Sequence, residues 1–217
     1  MRFIGWVVSL MIAVLVFVSA VGCVVWSLSA PWYTRLAAPA KVEYESAGLS
    51  HETMNALASD VAVFVNSVDA LQLPSMVEQR TGFDEATVAH LLDVRTLVLE
   101  SRRVTIVAIV ALILLSALFM YTNQEHAVST GLMLGGLALF VAVIISGSAG
   151  STDFGAFFTR FHKLFFKSGT WTFPTGSLVI QLFPEAFWKA AGTLTGFLTA
   201  LLGVGSFVVG NTMRRFR

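Results

Sequence analysis

The sequence predicts an all-α integral membrane protein with four transmembrane helices, an extracytoplasmic helical insertion and an interfacial aromatic helix. Hydrophobic residues make up 56% of the 217 residues and charged residues only 12%, whereas a soluble domain has about 25% charged residues. Four uncharged apolar stretches also reach the length of about 20 residues that a helix needs to cross a bilayer. Because backbone groups in lipid must be hydrogen-bonded within their own segment, we expect these stretches to be helices.

The chain is expected to form a single membrane domain over residues 1–217. The predicted spans are residues 4–28, 104–122, 128–149 and 188–211, with an outer helical segment at 31–103 and an outer interfacial segment at 150–187. The alternative for the first span is a signal peptide, but its apolar run is about twice the typical length of a signal-peptide core. Ala20 to Cys23 is similar to a lipoprotein cleavage site, yet the apolar run continues beyond Cys23.

The distribution of charge predicts which side of the membrane carries the function. Arg2 flanks the first span and three arginines follow the last, and positive charge near span ends favours the cytoplasm. We therefore place both termini inside the cell. All of the 13 acidic residues except Glu125 then lie in the two outer segments. The outer face is accordingly predicted to be the working surface.

Several functional classes are excluded or disfavoured. A net charge of +1 provides no field that would attract nucleic acid, so we expect no nucleic-acid partner. The single cysteine, Cys23, excludes a disulfide framework and a Cys-x-x-Cys metal or redox site. No span carries a charge in its interior, which argues against an ion pump or a proton-coupled transporter.

Two helices are predicted in the first outer segment. Ser50 is a plausible N-cap for an amphipathic helix whose apolar positions recur at helical spacing: Met54, Leu57, Val61, Phe64 and Val68. Asp84 caps a second helix, on which His90, Asp93 and Leu97 share one face. A straight helix would put His90 about 21 Å from Val104. For His90 to act at the membrane surface, we expect the helix to break or lie flat before Arg102-Arg103.

The sequence of the second outer segment predicts an interfacial helix. Asp153 can cap it, and His162 lies at the edge of a phenylalanine stripe with cations on the other side. The stripe consists of Phe154, Phe157, Phe158, Phe161 and Phe165, with Phe166 beside it, and the cations are Arg160, Lys163 and Lys167. An aromatic belt that only anchors the spans is the alternative. A titratable histidine within such a stripe favours a functional role, because polar groups at membrane depth are costly.

Small residues in the last two spans predict close helix packing. Gly131, Gly135 and Gly136 lie in the third span, while Gly192 and Gly196 lie in the fourth. Glycines four residues apart let helix backbones approach each other. We expect this packing to occur within one four-helix bundle rather than between two copies of the chain.

Two motif blocks resemble those of a known family. The first is His90-Leu91-Leu92-Asp93-Val94-Arg95, and the second runs from Phe161-His162-Lys163 through Trp171 to Phe183-Pro184-Glu185-Ala186-Phe187-Trp188. In a four-span chain of this length, they resemble the lipoprotein intramolecular transacylase family of Gram-positive bacteria. The resemblance covers the whole topology. Many relatives are expected to have an acidic residue before the proline after Trp-x-Phe, but Pro174 follows Phe173 directly here.

The resemblance implies a specific reaction. In a diacylated membrane lipoprotein, the sn-2 acyl chain would move from glycerol to the α-amine of the N-terminal cysteine, giving the lyso form. Neither a metal nor any other cofactor is implied, and the partners would be the diacylated lipoprotein and membrane lipid. The chain is expected to act as a monomer in the cell membrane, with its active site on the extracytoplasmic side.

The residues can be matched to this chemistry. His90 and His162 are the expected catalytic pair, because an imidazole suits general-base work on the amine. Asp93 would orient His90, and Arg95 would hold the substrate peptide or neutralise Asp93. The aromatic residues expected to bind or orient acyl chains are Phe158, Phe161, Phe166 and Trp171. His51 and His126 match no motif and are interpreted as bystanders.

Two other functions are alternatives. One is a non-enzymatic membrane scaffold, in which the two histidines are incidental. The other is a b-type haem membrane protein with His90 and His162 as axial ligands. A Soret band in the purified protein would identify the haem protein, while unchanged lipoprotein lipid structure on expression would indicate the scaffold.

Overall fold

The computed structural model describes residues 2–28, 50–68, 83–167 and 169–215, and these residues form seven helices and no strand. The helices are α1 (Arg2–Leu28), α2 (His51–Asn66), α3 (Glu85–Tyr121), α4 (Glu125–Thr152), α5 (Phe154–Phe165), α6 (Leu178–Leu182) and α7 (Glu185–Arg215). Four of them, α1, α3, α4 and α7, are long and apolar enough to cross a membrane. The chain is therefore an all-α, multi-pass membrane protein, as the composition predicts.

The third helix, α3, shows no break. It runs for 37 residues through Arg102 and Arg103, a length of about 55 Å at ~1.5 Å per residue. The sequence between Glu85 and Tyr121 contains neither glycine nor proline, the residues that most often interrupt a helix. The break considered before Arg102-Arg103 is therefore absent, and His90 lies on the same continuous helix as the apolar stretch 104–122.

Contacts divide the chain into two compact units. Unit 1 comprises Met1–Val25, Ser101–Ala149 and Leu194–Arg217, and unit 2 comprises Trp26–Glu100 and Gly150–Thr193. Unit 1 holds most of the apolar helical stretches. Unit 2 holds α2, α5, α6 and the beginnings of α3 and α7, and it contains both histidines of the sequence motifs.

In unit 1, glycines bring α1 and α4 into backbone contact. A Cβ added at Gly131 would lie 2.6 Å from Ile12 Cβ and 2.8 Å from Ser9 O. Ser9 Oγ donates a hydrogen bond to Ala127 O at 3.0 Å, so a hydroxyl also joins these two helices. The buried residues of this core are Val8, Ile12, Val16, Ala20, Ala127, Val128 and Leu139.

A second glycine contact joins α4 to α7, where the backbones of Gly136 and Gly203 approach closely. Ser129 Oγ donates to Gly210 O at 2.7 Å, which satisfies a hydroxyl away from water. Gly131, Gly135 and Gly136 of α4 thus pack within one chain, as expected. Gly192, by contrast, has nothing within 4 Å of an added Cβ.

Many exposed side chains of unit 1 are large and apolar. Phe3, Leu114, Ile145 and Phe197 are each at least 60% exposed. Large apolar surfaces of this kind mark contact with lipid or with another protein. Together with the length and composition of the helices, this exposure fits a lipid-facing surface.

In unit 2, α2 is an amphipathic helix with the predicted start. Ser50 caps it by accepting a hydrogen bond from Thr53 N at 3.2 Å. Met54 and Leu57 pack with Leu182 of α6, and the buried residues toward the other end of α2 are Val61, Phe64 and Val65, beside Leu91 of α3. Val68 is exposed, because α2 ends before it at Asn66.

Carboxylates fix the beginnings of the two helices that carry the histidines. Asp84 Oδ1 accepts a hydrogen bond from Thr87 N at 2.8 Å before α3, and Asp153 Oδ1 accepts one from Ala156 N at 2.9 Å before α5. Such caps satisfy backbone N–H groups that have no partner within the helix. Both caps were predicted from the sequence and are confirmed.

Candidate functional site

Two buried histidines meet in unit 2, although 72 positions separate them in the chain. His90 lies in the second turn of α3, and His162 lies in the last turn of α5. Only 8% of the His90 surface and 7% of the His162 surface are exposed. The centroids of the two imidazole rings are 6.2 Å apart, with an angle of 32° between the ring planes.

The hydrogen bond of His162 fixes its neutral tautomer. The Nδ1 atom lies 2.9 Å from Phe158 O, one helical turn earlier. A backbone carbonyl is only an acceptor, so Nδ1 must carry the hydrogen and donate it. In the neutral ring, Nε2 then has a free lone pair and can accept a proton.

The His90 ring is held by aromatic packing. It meets the edge of Phe166 with a centroid distance of 5.0 Å and lies 5.6 Å from the Phe173 ring. Its Nδ1 atom is buried and has no hydrogen-bond partner among the described residues. A buried polar atom without a partner is uncommon and calls for an explanation.

Aromatic rings also surround His162. The nearest is Phe158, with a centroid distance of 4.0 Å, followed by Trp171 at 5.0 Å. Phe161 and Phe166 lie at 5.5 and 5.6 Å. All four aromatic residues expected at the site therefore contact His162, and Phe166 contacts both histidines. We refer to Phe158, Phe161, Phe166, Trp171 and Phe173 as the aromatic cage.

Trp171 carries a second unpaired polar atom. Its Nε1 is buried and has no hydrogen-bond partner among the described residues. The indole N–H is a donor only, so its missing partner must be an acceptor. Two unpaired buried nitrogens, His90 Nδ1 and Trp171 Nε1, therefore belong to one cluster of rings.

Burial keeps both imidazoles neutral. Burial and, secondarily, the nearby His162 lower the pKa of His90 from 6.5 to about 4, against an opposing effect of the Asp93 carboxylate. Burial also lowers the pKa of His162, while its hydrogen bond to Phe158 opposes that shift. Both imidazoles lie outside the predicted membrane spans, because His90 precedes the apolar stretch 104–122 on α3 and His162 lies on α5. Charging both rings at once would be unfavourable, because like charges lie close together.

Asp93 lies one turn after His90, and its side chain is exposed. It raises the pKa of His90 by its charge, but it makes no hydrogen bond to His90 Nδ1, which has no partner among the described residues. The structure thus provides an electrostatic link between the two side chains. It does not contain the hydrogen bond through which an aspartate would hold this nitrogen.

Arg95 contacts the backbone that follows α2. Its Nε and Nη2 atoms donate to Ser67 O at 3.0 and 2.9 Å, and Nη2 also donates to Val68 O at 3.0 Å. The guanidinium lies 5.5 Å from the centre of the Phe64 ring. Arg95 therefore joins α3 to the end of α2 instead of pairing with Asp93.

Phe173 was not among the residues selected from the sequence, although it contacts the His90 ring. The sequence feature that could have identified Phe173 is its position two residues after Trp171, within the same motif block. His126 is exposed in the first turn of α4 and lies in unit 1. Within the described part of the chain, no group of three or more His, Cys, Asp or Glu residues could hold a metal ion.

Comparisons with known proteins identify a family. The family model described as lipoprotein intramolecular transacylase Lit matches residues 5–188. A search of curated proteins finds no match. The chain is similar to the solved structure of the membrane-integral lipoprotein intramolecular transacylase Lit from Bacillus cereus, with a TM-score of 0.78, 15% identity, and coverage of 100% of this chain and 96% of that chain.

Two histidine variants of the Bacillus cereus protein have a similar fold. The arginine variant matches with a TM-score of 0.69 at 17% identity, covering 99% of this chain and 92% of that one. The alanine variant matches with a TM-score of 0.68 at 19% identity, covering 99% and 93%. These likenesses show the shared fold, while the family model covers most of the sequence. The chain belongs to the lipoprotein intramolecular transacylase family, Lit.

Proposed function

We propose that this protein moves the sn-2 acyl chain of a diacylated lipoprotein from glycerol to the α-amine of the lipoprotein's own N-terminal cysteine. The family supports lipoprotein transacylation as the activity. The observation that carries the finer proposal is the pair of buried, neutral imidazoles 6.2 Å apart. An acyl shift needs a base for the amine and a group for the ester oxygens, and these two rings can divide those tasks.

His162 is the proposed general base. The α-amine has a reference pKa of ~7.7–8.0, so it is largely protonated at neutral pH and must lose a proton to attack. The hydrogen bond from His162 Nδ1 to Phe158 O leaves Nε2 free to take that proton. The amine nitrogen then bonds to the ester carbonyl carbon, and a tetrahedral intermediate forms.

The same proton completes the reaction. When the intermediate collapses, the bond between the carbonyl carbon and the glycerol oxygen breaks, and protonated His162 returns its proton to that oxygen. The attacking nitrogen releases its second proton to water, which leaves a neutral amide. His90 remains neutral while His162 is charged, because a charged His162 disfavours the charging of His90. Neutral His90 has one N–H group, which can donate to a substrate oxygen during this step.

The aromatic cage is proposed to hold the acyl chains near the two rings. Its members are apolar except for the indole nitrogen of Trp171, so they can bind hydrocarbon and exclude water. Both reacting groups belong to one substrate molecule, and this intramolecularity provides a high effective concentration. Positioning and proton transfer are then sufficient for the reaction.

The site is proposed to lie on the extracytoplasmic side of the cell membrane. Arg214 and Arg215 in the last turn of α7 favour a cytoplasmic C-terminus. With four spanning helices, this orientation would place α2 and α5 on the outer side. Diacylated lipoproteins and membrane lipid are the proposed partners, and the protein is proposed to act as a monomer without a metal or other cofactor.

Expression in a host that lacks lipoprotein transacylation tests the proposal. The wild-type protein should convert diacylated lipoproteins to the lyso form, as measured by mass spectrometry of an N-terminal lipopeptide. His90→Ala and His162→Ala should each abolish conversion at unchanged membrane levels of the protein. His126→Ala is the matched control, because His126 is exposed and belongs to unit 1, and it should convert normally.

Each part of the proposal can fail separately. If the wild-type protein leaves the lipoproteins diacylated, the proposed reaction is wrong. If it converts them and both histidine variants do so equally well, the reaction stands but the assignment of the two imidazoles is wrong.

A further inference from the structure

We propose that the indole N–H of Trp171 donates a hydrogen bond to the carbonyl oxygen of the substrate ester and to the oxyanion that forms from it. This inference rests on the proposed function. It adds a catalytic group that acts by hydrogen bonding alone and exchanges no proton. Its basis is an unpaired donor located beside the proposed base.

The first argument is the missing partner. Trp171 Nε1 is buried, and no described residue accepts its hydrogen. Leaving a buried donor unpaired costs free energy, so such groups normally bind protein, water or ligand. Hydrogen-bond donors kept free in a site are available to a ligand at no cost in broken protein contacts.

The second argument is location. The Trp171 ring lies 5.0 Å from the His162 ring between centroids, at an angle of 36°. His162 is in turn 6.2 Å from His90. A substrate amine whose proton goes to His162 Nε2 must be close to the carbonyl carbon that it attacks, and the carbonyl oxygen is bonded to that carbon. The donor is therefore near the place where negative charge develops.

The third argument is chemical type. An indole N–H is a donor only, and it cannot bind the N–H groups of a protonated amine. Among the reacting groups, the ester carbonyl oxygen is the acceptor that gains charge in the tetrahedral intermediate. A donor aimed at developing charge stabilises the transition state more than the ground state, so its removal lowers kcat more than it raises KM.

Two changes at position 171 test the proposal. Trp171→Phe removes the N–H with some loss of ring volume. Site-specific incorporation of 3-benzothienylalanine at position 171 replaces the N–H by sulfur and keeps the bicyclic shape. With a purified protein and a diacylated lipopeptide, both changes should lower kcat roughly 10- to 100-fold and leave KM within about threefold.

The same changes at Trp188 are the matched control. Trp188 is 39% exposed, packs on Phe158 and Phe187, and is not a member of the aromatic cage. Both changes at Trp188 should leave kcat within about threefold of the wild type. If Trp171→Phe does not fold, the benzothienylalanine protein decides the question because it preserves the packing.

A binding measurement gives an independent readout. An N-acetylated diacyl lipopeptide retains the ester carbonyl but cannot react, because its amine is blocked. In ¹⁵N-labelled protein, its binding should move the Trp171 indole proton resonance downfield, and that resonance should be missing in Trp171→Phe.

Three results would overturn the proposal. They are wild-type kcat in the folded benzothienylalanine protein, a loss confined to KM, and an indole resonance that does not move when the analogue inhibits the enzyme. If the wild-type protein itself fails to convert the lipopeptide, the proposed function fails first, which distinguishes the two cases.

Discussion

The imidazole of His162 is a neutral base whose tautomer is set by the backbone of its own helix. Its position follows from α-helix geometry, because the carbonyl of residue 158 points toward the side chain one turn later. The sequence predicted the pair of catalytic candidates but left open which ring takes the amine proton. That assignment needs the acceptor of the Nδ1 hydrogen, which residue spacing alone does not reveal.

Histidine titration tests the electrostatics at the residue scale. Burial lowers the pKa values of both rings, so NMR titration should give midpoints below 6.5 for both and near 4 for His90. Both imidazoles are then neutral at pH 7 and acquire charge only on acidification. His162→Ala assigns the resonances. A midpoint at or above 6.5 for either ring would contradict the lowering of its pKa by burial.

The Asp93 carboxylate provides a second titration test. It favours the charged form of His90, so Asp93→Asn should lower the His90 midpoint further. The variant His162→Ala should have the opposite effect on His90, because His162 disfavours its charging. Both shifts can be followed in the same NMR experiment. A His90 midpoint that rises in Asp93→Asn would show that the carboxylate does not act through its charge.

At the scale of elements, Arg95 fixes the end of α2 against α3. Two of its three hydrogen bonds go to the carbonyl of Ser67, the C-cap of α2, which has no partner within the helix. The third goes to the carbonyl of the next residue, Val68. The sequence suggested an aspartate or a substrate peptide as partner, because opposite charges close in sequence are the visible candidates. Backbone carbonyls carry no sequence signal, so this contact could not be predicted.

Removing the Arg95 contacts should destabilise unit 2. Arg95→Ala should cost about 1–3 kcal/mol, because charged side chains make strong hydrogen bonds to carbonyls. Arg95→Lys should recover only part of this, since an ammonium cannot reproduce the planar fork. Thermal unfolding in detergent measures both, with exposed Arg160→Ala as the control. Equal melting temperatures for Arg95→Ala and Arg160→Ala would contradict the role of this contact.

One glycine of α4 and one of α7 provide a matched pair of substitutions. Gly131→Ala places a Cβ 2.6 Å from Ile12 Cβ and 2.8 Å from Ser9 O, so overpacking should cost about 1–3 kcal/mol. Gly192→Ala meets nothing within 4 Å and should stabilise its helix by about 0.5–1 kcal/mol. Thermal unfolding of the two variants should therefore shift in opposite directions. A stabilised Gly131→Ala protein would contradict the close approach of α1 and α4.

Sequence patterns predicted where the helices begin better than how far they extend. Side-chain caps and apolar spacing identify where α2, α3 and α5 begin, because these are local effects. The continuity of α3 depended on whether Glu100, Arg102 and Arg103 would interrupt it. Charged residues are good helix formers, and only glycine or proline would have broken the helix at this point.

At the scale of the whole molecule, composition was sufficient for the fold class. A helix satisfies the backbone hydrogen bonds of a long apolar stretch in lipid, and the part of the chain that the structure describes contains four helices of sufficient length. Composition does not predict that His90 and His162 lie close together. Their proximity depends on how α3 and α5 pack within unit 2, so the motif blocks could predict the pair only through family resemblance.

Cysteine labelling tests the proposed orientation in the membrane. In a Cys23→Ser background, a cysteine at the exposed position of Lys163 should react with a membrane-impermeant maleimide added outside intact cells. A cysteine at exposed His126 should react only after the cells are opened, since α3 and α4 are proposed to join on the inner side. If only the cysteine at position 126 reacts from outside, the protein has the opposite orientation to the one proposed.

The central claim is that the two imidazoles move an acyl chain within one lipoprotein molecule. A crossover experiment with purified protein tests it most directly. Two diacyl lipopeptides are mixed, one with a deuterated sn-2 chain and the other with a ¹⁵N-labelled peptide. The account predicts that mass spectrometry finds deuterated chains only on the amines of unlabelled peptides. Deuterated chains on ¹⁵N-labelled amines, or free deuterated fatty acid as the main product, would contradict it.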